Sequence, residues 1–112
     1  MSKFRKAVYY MNLFSIPRPF RDTRGYLHGH VVHIDCFGDL TTDIHAIDLS
    51  GRHVTIQIGK IKIRGLSRHY TEKNGLVALI GSSNFLEIAL SKGDAAFFLS
   101  VIRGTKVRVG LD

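Results

Sequence analysis

Two short blocks of this chain hold the residues best suited to chemistry. The first runs from Gly29 to Ile44 and passes through Asp35-Cys36-Phe37-Gly38-Asp39. Phe37 offers a face on which a flat ring can stack. Gly38 lets the backbone turn sharply and a ligand approach. Asp39 can accept hydrogen bonds from an exocyclic amine. The same residues also make an ordinary β-turn with Phe37 in a core, since Gly-Asp turns are common, and spacing alone leaves both readings open. The second block runs from Gly81 to Ala89. Ser82 and Ser83 supply hydroxyls and N–H groups at a turn able to hold a carboxylate. Glu87 is an acid within the apolar run Leu86–Leu90. It either sits on a wet face or anchors an ammonium group.

Other reactive side chains form weaker patterns. Of the six histidines, His28, His30 and His33 cluster near Cys36. On a strand His28 and His30 share a face and His33 takes the other, so one metal centre would need a bend near Val31. The chain has no Cys-x-x-Cys or His-Glu-x-x-His pattern, so exposed histidines are expected rather than metal ligands. Cys36 would need a paired base to act as a nucleophile, and His33 and His45 qualify by residue type alone. Gly25 to Gly29 lacks the following helix that a phosphate-binding loop requires. A single cysteine cannot form an internal disulfide, and this points to a reducing, cytoplasmic setting.

The elements that must position these blocks read as one small domain of 112 residues, 45% of them hydrophobic. No apolar run is long enough to span a membrane as a helix. The basic start is followed by a short segment, Ala7–Phe14, interrupted by Asn12 and without a cleavage pattern, so secretion is not expected. The net charge is +7. Residues 1–24 carry six basic groups against Asp22 alone, whereas residues 25–112 carry ten against eight. The chain therefore divides into a basic arm and linker, 1–24, and a β-barrel domain, 25–112. Phe4 to Phe14 could form one or two helical turns. Pro17 and Pro19 hold Ile16 and Arg18 extended, which makes 15–25 a linker.

From Gly25 the apolar period is two. Val31–Asp35 reads as a strand, and Thr42–Leu49 as a second with Ile44, Ala46 and Asp48 on one face. Ser50-Gly51 signals a hairpin between Leu49 and Arg52. In Val54–Ile63, Val54, Ile56 and Ile58 share a face and Ile61 and Ile63 lie on the other, with a bulge or break at Gly59. Lys60 and Lys62 mark a wet face. Residues 64–75 are loop. Val77–Ile80 and Leu86–Leu90 flank the Gly81–Asn84 turn, Asp94 caps a short helix over 95–99, and Val107–Val109 is the last strand. The fold class is all-β: a small closed or nearly closed barrel with one short helix.

In order and spacing the two blocks resemble the C-terminal domain of the S-adenosylmethionine hydrolase (adenosyl-forming) and fluorinase/chlorinase family. That family's loops read Asp-Arg-Phe-Gly-Asn-Leu-x-Thr-Asn-Ile and Ser-Ser-Gly-Tyr-Leu-Glu-Ile-Ala. The resemblance spans about Gly25 to Gly110 and includes the closing run Gly104–Val109. It implies a Greek-key barrel that binds S-adenosylmethionine or adenosine as substrate or ligand, with no further cofactor. Phe37 and Tyr70 would sandwich the adenine, with His69 in place of a threonine. Asp39 would contact the adenine amine, Ser82 and Ser83 the methionine carboxylate, and Glu87 the methionine part. Lys92 would lie where backbone contacts to adenine occur.

The chain departs from the pattern at Cys36 for arginine, Asp39 and Asp43 for asparagines, and Asn84 and Phe85 for glycine and tyrosine. Ionised aspartate only accepts, so a donor to adenine is lost, at a cost of about 1–3 kcal/mol. Asn84 tolerates positive φ. The resemblance also implies a larger N-terminal α/β domain bearing the catalytic groups, and trimers whose ligand lies between subunits. No catalytic residue is assigned in these residues, and the barrel is expected to be inactive without that domain. Whether it is a truncated form, one subunit of a split pair or an orphan barrel stays open. Both turns are expected at one rim of the barrel. Two alternatives remain: single-stranded nucleic acid binding through Lys60, Lys62, Arg64 and Arg68 beside His69 and Tyr70, and a trimerisation module without ligand.

Overall fold

A computed structural model describes residues 18–49, 53–69 and 75–111. The sequence readings for Phe4–Phe14, Pro17, Ser50-Gly51 and Tyr70 lie outside the described residues. The elements are β1 (Phe20–Arg21), β2 (Leu27–Ile34), β3 (Leu40–His45), a 3₁₀ turn (Ala46–Asp48), β4 (Val54–Ile58), β5 (Ile61–Arg64), β6 (Leu76–Ile80), β7 (Phe85–Leu90), α1 (Ala95–Leu99) and β8 (Lys106–Leu111).

Alternation of apolar and polar residues builds the sheet. In β3, Leu40, Thr42 and Ile44 are buried, and in β4, Val54, Ile56 and Ile58 are buried, each with half-buried residues between. This is the period-two pattern of strands with one face in a core. The strands follow the order β5-β4-β8-β2-β3-β7-β6, with β1 added against β2, and every pairing is antiparallel. β8 returns between β4 and β2, and this long connection is the Greek-key element. Past the end of β5, the Ser67 N–H donates to the Ala78 carbonyl of β6 at 2.7 Å. The ends of the path are thereby tied, and the sheet curls into a nearly closed barrel. The interior is one cluster that includes Val31, Leu40, Ile44, Ile56, Leu86, Ile88, Val107 and Val109. A smaller buried group of Val77, Leu79 and Ala89 sits on β6 and β7.

Several local expectations change. Thr42–Leu49 is not one strand. β3 stops at His45, whose Nδ1 accepts from Ile47 N at 3.1 Å and starts the 3₁₀ turn. A ring nitrogen so close to the backbone competes with the ladder. Moreover, β3 and β4 are not sheet neighbours, so they do not form the hairpin read from Ser50-Gly51. The hairpin is instead at Gly59. Ile58 pairs with Ile61 and Ile56 with Ile63, joined by Gly59-Lys60 with Gly59 at φ +61, where a two-residue turn favours glycine. Reversal at this turn puts buried Ile63 on the same face as Ile56, not on the opposite one.

Part of the segment read as linker also belongs to the sheet. Phe20 and Arg21 pair with His28 and Leu27, and Asp22 Oδ1 accepts from Arg24 N and Tyr26 N. The Gly81–Asn84 turn and the Asp94 cap form as expected. Asn84 holds φ +70, the left-handed position of a three-residue hairpin loop, and Asp94 Oδ1 accepts from Phe97 N at 2.9 Å.

Ile56 lies at the centre of this core with no exposure. Ile56→Ala is expected to lower unfolding free energy by about 2–5 kcal/mol, read from a shifted urea midpoint with unchanged slope.

Candidate functional site

The loop between β2 and β3 is organised by Asp35, a residue that sequence reasoning passed over. Its Oδ1 accepts from Phe37 N at 2.9 Å and from Asp39 N at 3.0 Å. Its backbone carbonyl accepts from Gly38 N, and its N–H donates to the Asp39 carbonyl. An aspartate that folds its own following backbone is an Asx turn, and the signal was present in Asp35 standing just ahead of Gly38. The turn leaves Phe37 74% exposed, so the core reading of Phe37 does not hold.

Gly38 is required twice over. Its φ is +86, and a Cβ there would lie 1.9 Å from Asp94 Oδ1. The group that approaches Gly38 is thus the cap of α1, and the Ala96 N–H donates to the Gly38 carbonyl at 3.0 Å. Loop and helix form one unit. Beside them opens a shallow depression of about 630 Å³, lined by Ile34, Gly38, Ala96, Phe97, Val101 and Ile102 among others. Phe97, 84% exposed, is a second aromatic at this end that the sequence reading did not single out.

Asp39 is half-buried at the start of β3. Burial is the main reason its carboxyl is pushed above the ordinary carboxylate range, and the neighbouring charges of Asp35, Glu87 and Asp94 add to the shift. Asp43 has a structural task. Its Oδ1 accepts from His30 N at 2.7 Å, where the register of β2 against β3 shifts between Val31 and His33. Its Oδ2 lies 3.5 Å from His30 Nδ1. Cys36 is an exposed free thiol. Among the described residues no group of three or more His, Cys, Asp or Glu side chains is arranged to hold a metal.

The β3–β7 ladder fixes the relation of the two blocks. Leu40 pairs with Ile88, Thr41 with Glu87, and His45 with Phe85. The Phe37 turn precedes Leu40 and the Ser82 turn precedes Phe85, so the two turns lie at opposite ends of this ladder. The expectation of one shared rim is corrected, because antiparallel pairing sends the entries of β3 and β7 in opposite directions. The Phe37 end also holds Asp39, α1 and the turn after β7. Lys92 is exposed in that turn, at φ +59. The other end holds exposed Ser82 and Ser83, tied to β3 by Ala46 N donating to the Asn84 carbonyl at 2.8 Å.

Glu87 stands between the two ends, half-buried and opposite both Thr41 and Leu79. Its carboxylate lies against Gly81, where a Cβ would meet Glu87 Oε2 at 1.8 Å. The predicted residues are therefore distributed along one ladder, with Tyr70 outside the described residues.

Comparison with known proteins bears on this arrangement. The model of the SAM hydroxide adenosyltransferase C-terminal domain matches residues 29–108. Among solved structures the barrel is similar to an uncharacterized conserved protein from Thermotoga maritima at 23% identity and TM-score 0.68, over 84% of this chain and 39% of that one. It is also similar to a conserved hypothetical protein from Thermus thermophilus at 27% identity and TM-score 0.64, over 74% of this chain and 34% of that one. This chain thus spans well under half the length of either structure, and the first likeness speaks for the fold alone. No curated protein matches it. The family match takes in both blocks, the β3–β7 ladder between them and α1, and the chain accordingly belongs to the family of the SAM hydroxide adenosyltransferase C-terminal domain.

Proposed function

We propose that this barrel is a ligand-binding half-site for S-adenosylmethionine or adenosine, with the ligand laid along the β3–β7 ladder. The adenine would rest at the Phe37 end and the amino-acid tail at the Ser82 turn. The observation that carries this reading is Phe37. It is a large aromatic left 74% exposed on a turn that Asp35 and α1 hold rigid. Leaving a phenylalanine in water forgoes roughly 1.5–3 kcal/mol of burial, and an exposed ring on a hydrogen-bonded turn beside a shallow, mostly apolar depression suits stacking against a flat partner.

The remaining roles follow from position. Asp39 would accept from the adenine amine, Ser82 and Ser83 would donate to the carboxylate, and Glu87, midway, would face the ammonium group. Lys92 would bring its backbone to the purine edge, and Tyr70 would cover the opposite ring face. None of these residues is assigned to activating water, so hydrolysis to adenosine and methionine would need catalytic groups from an N-terminal α/β domain. In a trimer, such a domain of one subunit would close over the barrel of the next. A barrel that only assembles and takes no ligand is the competing reading.

Calorimetry with S-adenosylmethionine and with adenosine tests the claim. Phe37→Ala is expected to weaken both ligands at least tenfold. A Ser82→Ala/Ser83→Ala double variant should weaken S-adenosylmethionine and leave adenosine unchanged. Absence of heat with either ligand, including in the presence of a family α/β domain, contradicts the reading and leaves the assembly module.

Asp39→Asn supplies a second test. Asparagine restores a donor toward the ring, so adenosine affinity should rise about tenfold or more, matching the 1–3 kcal/mol cost of an unmatched buried acceptor. The variant also carries a stability signature. Because the folded-state pKa of Asp39 is raised, the folded protein favours the protonated carboxyl, and ionisation costs stability as pH rises through that raised value. Asp39→Asn should therefore be slightly more stable than the wild type at pH 7. The advantage should shrink as pH falls and be gone below the ordinary value of 3.8, read from urea unfolding at neutral and acid pH.

A further inference from the structure

The half of the barrel away from the Phe37 turn carries a different chemistry. The outward-facing residues of β5, β4, β8 and β2 fall into cross-strand rows. Arg64, Thr55 and Gly110 form one row, and Lys62, Gln57, Arg108 and His28 form the next. Lys106 lies opposite His30 in a third. Three adjoining depressions follow these rows. The first, about 220 Å³, is lined by Tyr26, Thr55, Gln57, Lys62, Arg64, Arg108 and Gly110. The second, about 410 Å³, shares Gln57 and Arg108 with the first and adds His28 and Lys106. The third, about 180 Å³, shares His28 and Lys106 with the second and ends at Phe20.

No aspartate or glutamate among the described residues lines any of the three. Among the described residues the carboxylates of Asp35, Asp39, Glu87 and Asp94 instead gather around the other block. Two acids stand behind the histidine end of the track: Asp43, whose Oδ1 accepts from His30 N at 2.7 Å, and Asp22. Asp22 Oδ2 lies 2.7 Å from His28 Nε2, a contact that holds the Asp22 carboxyl below its ordinary range. The histidine end is thus already matched, and the positive charge open to a partner belongs chiefly to Lys62, Lys106 and Arg108.

Arg108 is built into place. Its guanidinium carbon stands 4.4 Å over the Tyr26 ring, and one terminal nitrogen donates to Gln57 Oε1 at 2.6 Å. Tyr26 fits under it because position 110 is glycine; a Cβ there would come within 3.2 Å of the ring. A guanidinium has five donors in a plane, so a single bond to Gln57 leaves it able to bind phosphate or stack on a base. At the far end Phe20, 54% exposed, stacks on His28 with ring centres 4.8 Å apart at 14°. Cations interleaved with flat side chains along a groove suit a backbone of phosphates carrying stacked bases. From β5 to β2 the track crosses about 15 Å, three strand spacings, which is long for a single phosphate. Among the described residues it offers one exposed apolar side chain, Phe20, too few for insertion into a bilayer.

We propose that this outer face of β5, β4, β8 and β2 binds single-stranded nucleic acid, with phosphates on Lys62, Arg108 and Lys106 and bases on the Arg108 plane and Phe20. The proposal is independent of the S-adenosylmethionine reading, which uses the other half of the barrel.

The test is fluorescence anisotropy of a labelled oligouridylate with the full chain, titrated at several salt concentrations. Three phosphate contacts predict a slope of log K against log salt of about −2, from roughly −0.7 per contact. Lys62→Glu/Lys106→Glu changes two exposed side chains. It should lower affinity at least tenfold and make the slope shallower by about 1.4, with an unaltered urea midpoint showing that the barrel is intact. Phe20→Ala should lower affinity and leave the slope unchanged. A Lys3→Ala/Arg5→Ala/Lys6→Ala variant should retain most of the binding. Absence of binding at the lowest salt overturns the proposal. So does loss confined to the variant at positions 3, 5 and 6, or capture by phosphatidylserine vesicles in place of the oligonucleotide. Calorimetry with S-adenosylmethionine should be unaffected by Lys62→Glu/Lys106→Glu, so the two sites are judged separately.

Discussion

The pairing of β3 with β7 is the constraint on which the rest depends. Leu40 and Ile44 from one strand and Leu86 and Ile88 from the other are buried without exposure in the same core. Because side chains alternate, a slip of one residue would turn all four outward and bring Thr41 and Glu87 in. The hydrophobic effect therefore fixes the register. The register in turn fixes where each loop leaves the barrel and which side chains stand between the loops. Thr42 reinforces it from within. Its Oγ1 donates to the Leu86 carbonyl at 2.8 Å and accepts from Ile44 N at 3.2 Å, which satisfies a buried hydroxyl that would otherwise cost free energy. The ladder is irregular only between Thr41 and His45, where the strand bends toward the 3₁₀ turn.

From this ladder the molecule divides into two chemically distinct faces. On the β3–β7 side, a turn locked by Asp35 and by the cap of α1 holds an exposed aromatic beside a carboxylate with a raised pKa. On the β5–β4–β8–β2 side, cations line adjoining depressions, with no acid among their described lining residues. A net charge of +7 averaged over the chain conceals this separation. Like charges gathered around Asp39 add to the rise in its pKa.

Much of the fold was legible because period-two burial leaves a direct trace. β6, β7 and β8 were recognised within a residue or two, and the Asp94 cap and the Asn84 turn were anticipated from side-chain chemistry that acts locally. What was missed depends on pairing at a distance. Gly59 was read as a bulge or break because a side change along one strand and a reversal into a hairpin look alike until partners are known. Phe20 and Arg21 were read as linker because two residues between Pro19 and Asp22 have no period, and only β2 makes them a strand. His45 ended β3 through a backbone contact that no periodicity reports. In the candidate site, the residue types at Phe37, Asp39 and Ser82 were visible. Their placement at opposite ends of a ladder was not, since it follows from the direction of strands far apart in sequence. Asp35 was overlooked because its task is to shape the turn rather than to face a ligand.

Whether a nucleoside with an amino-acid tail lies along the β3–β7 ladder is the central question. The most direct measurement is a two-dimensional ¹H–¹⁵N correlation titration of the chain with S-adenosylmethionine. A ligand on the ladder predicts saturable shifts at Phe37, Gly38 and Asp39 together with Ser82, Ser83 and Asn84, while the amides of β4 and β5 stay still. Shifts at neither turn, or shifts confined to β4, β5 and β8, would contradict it.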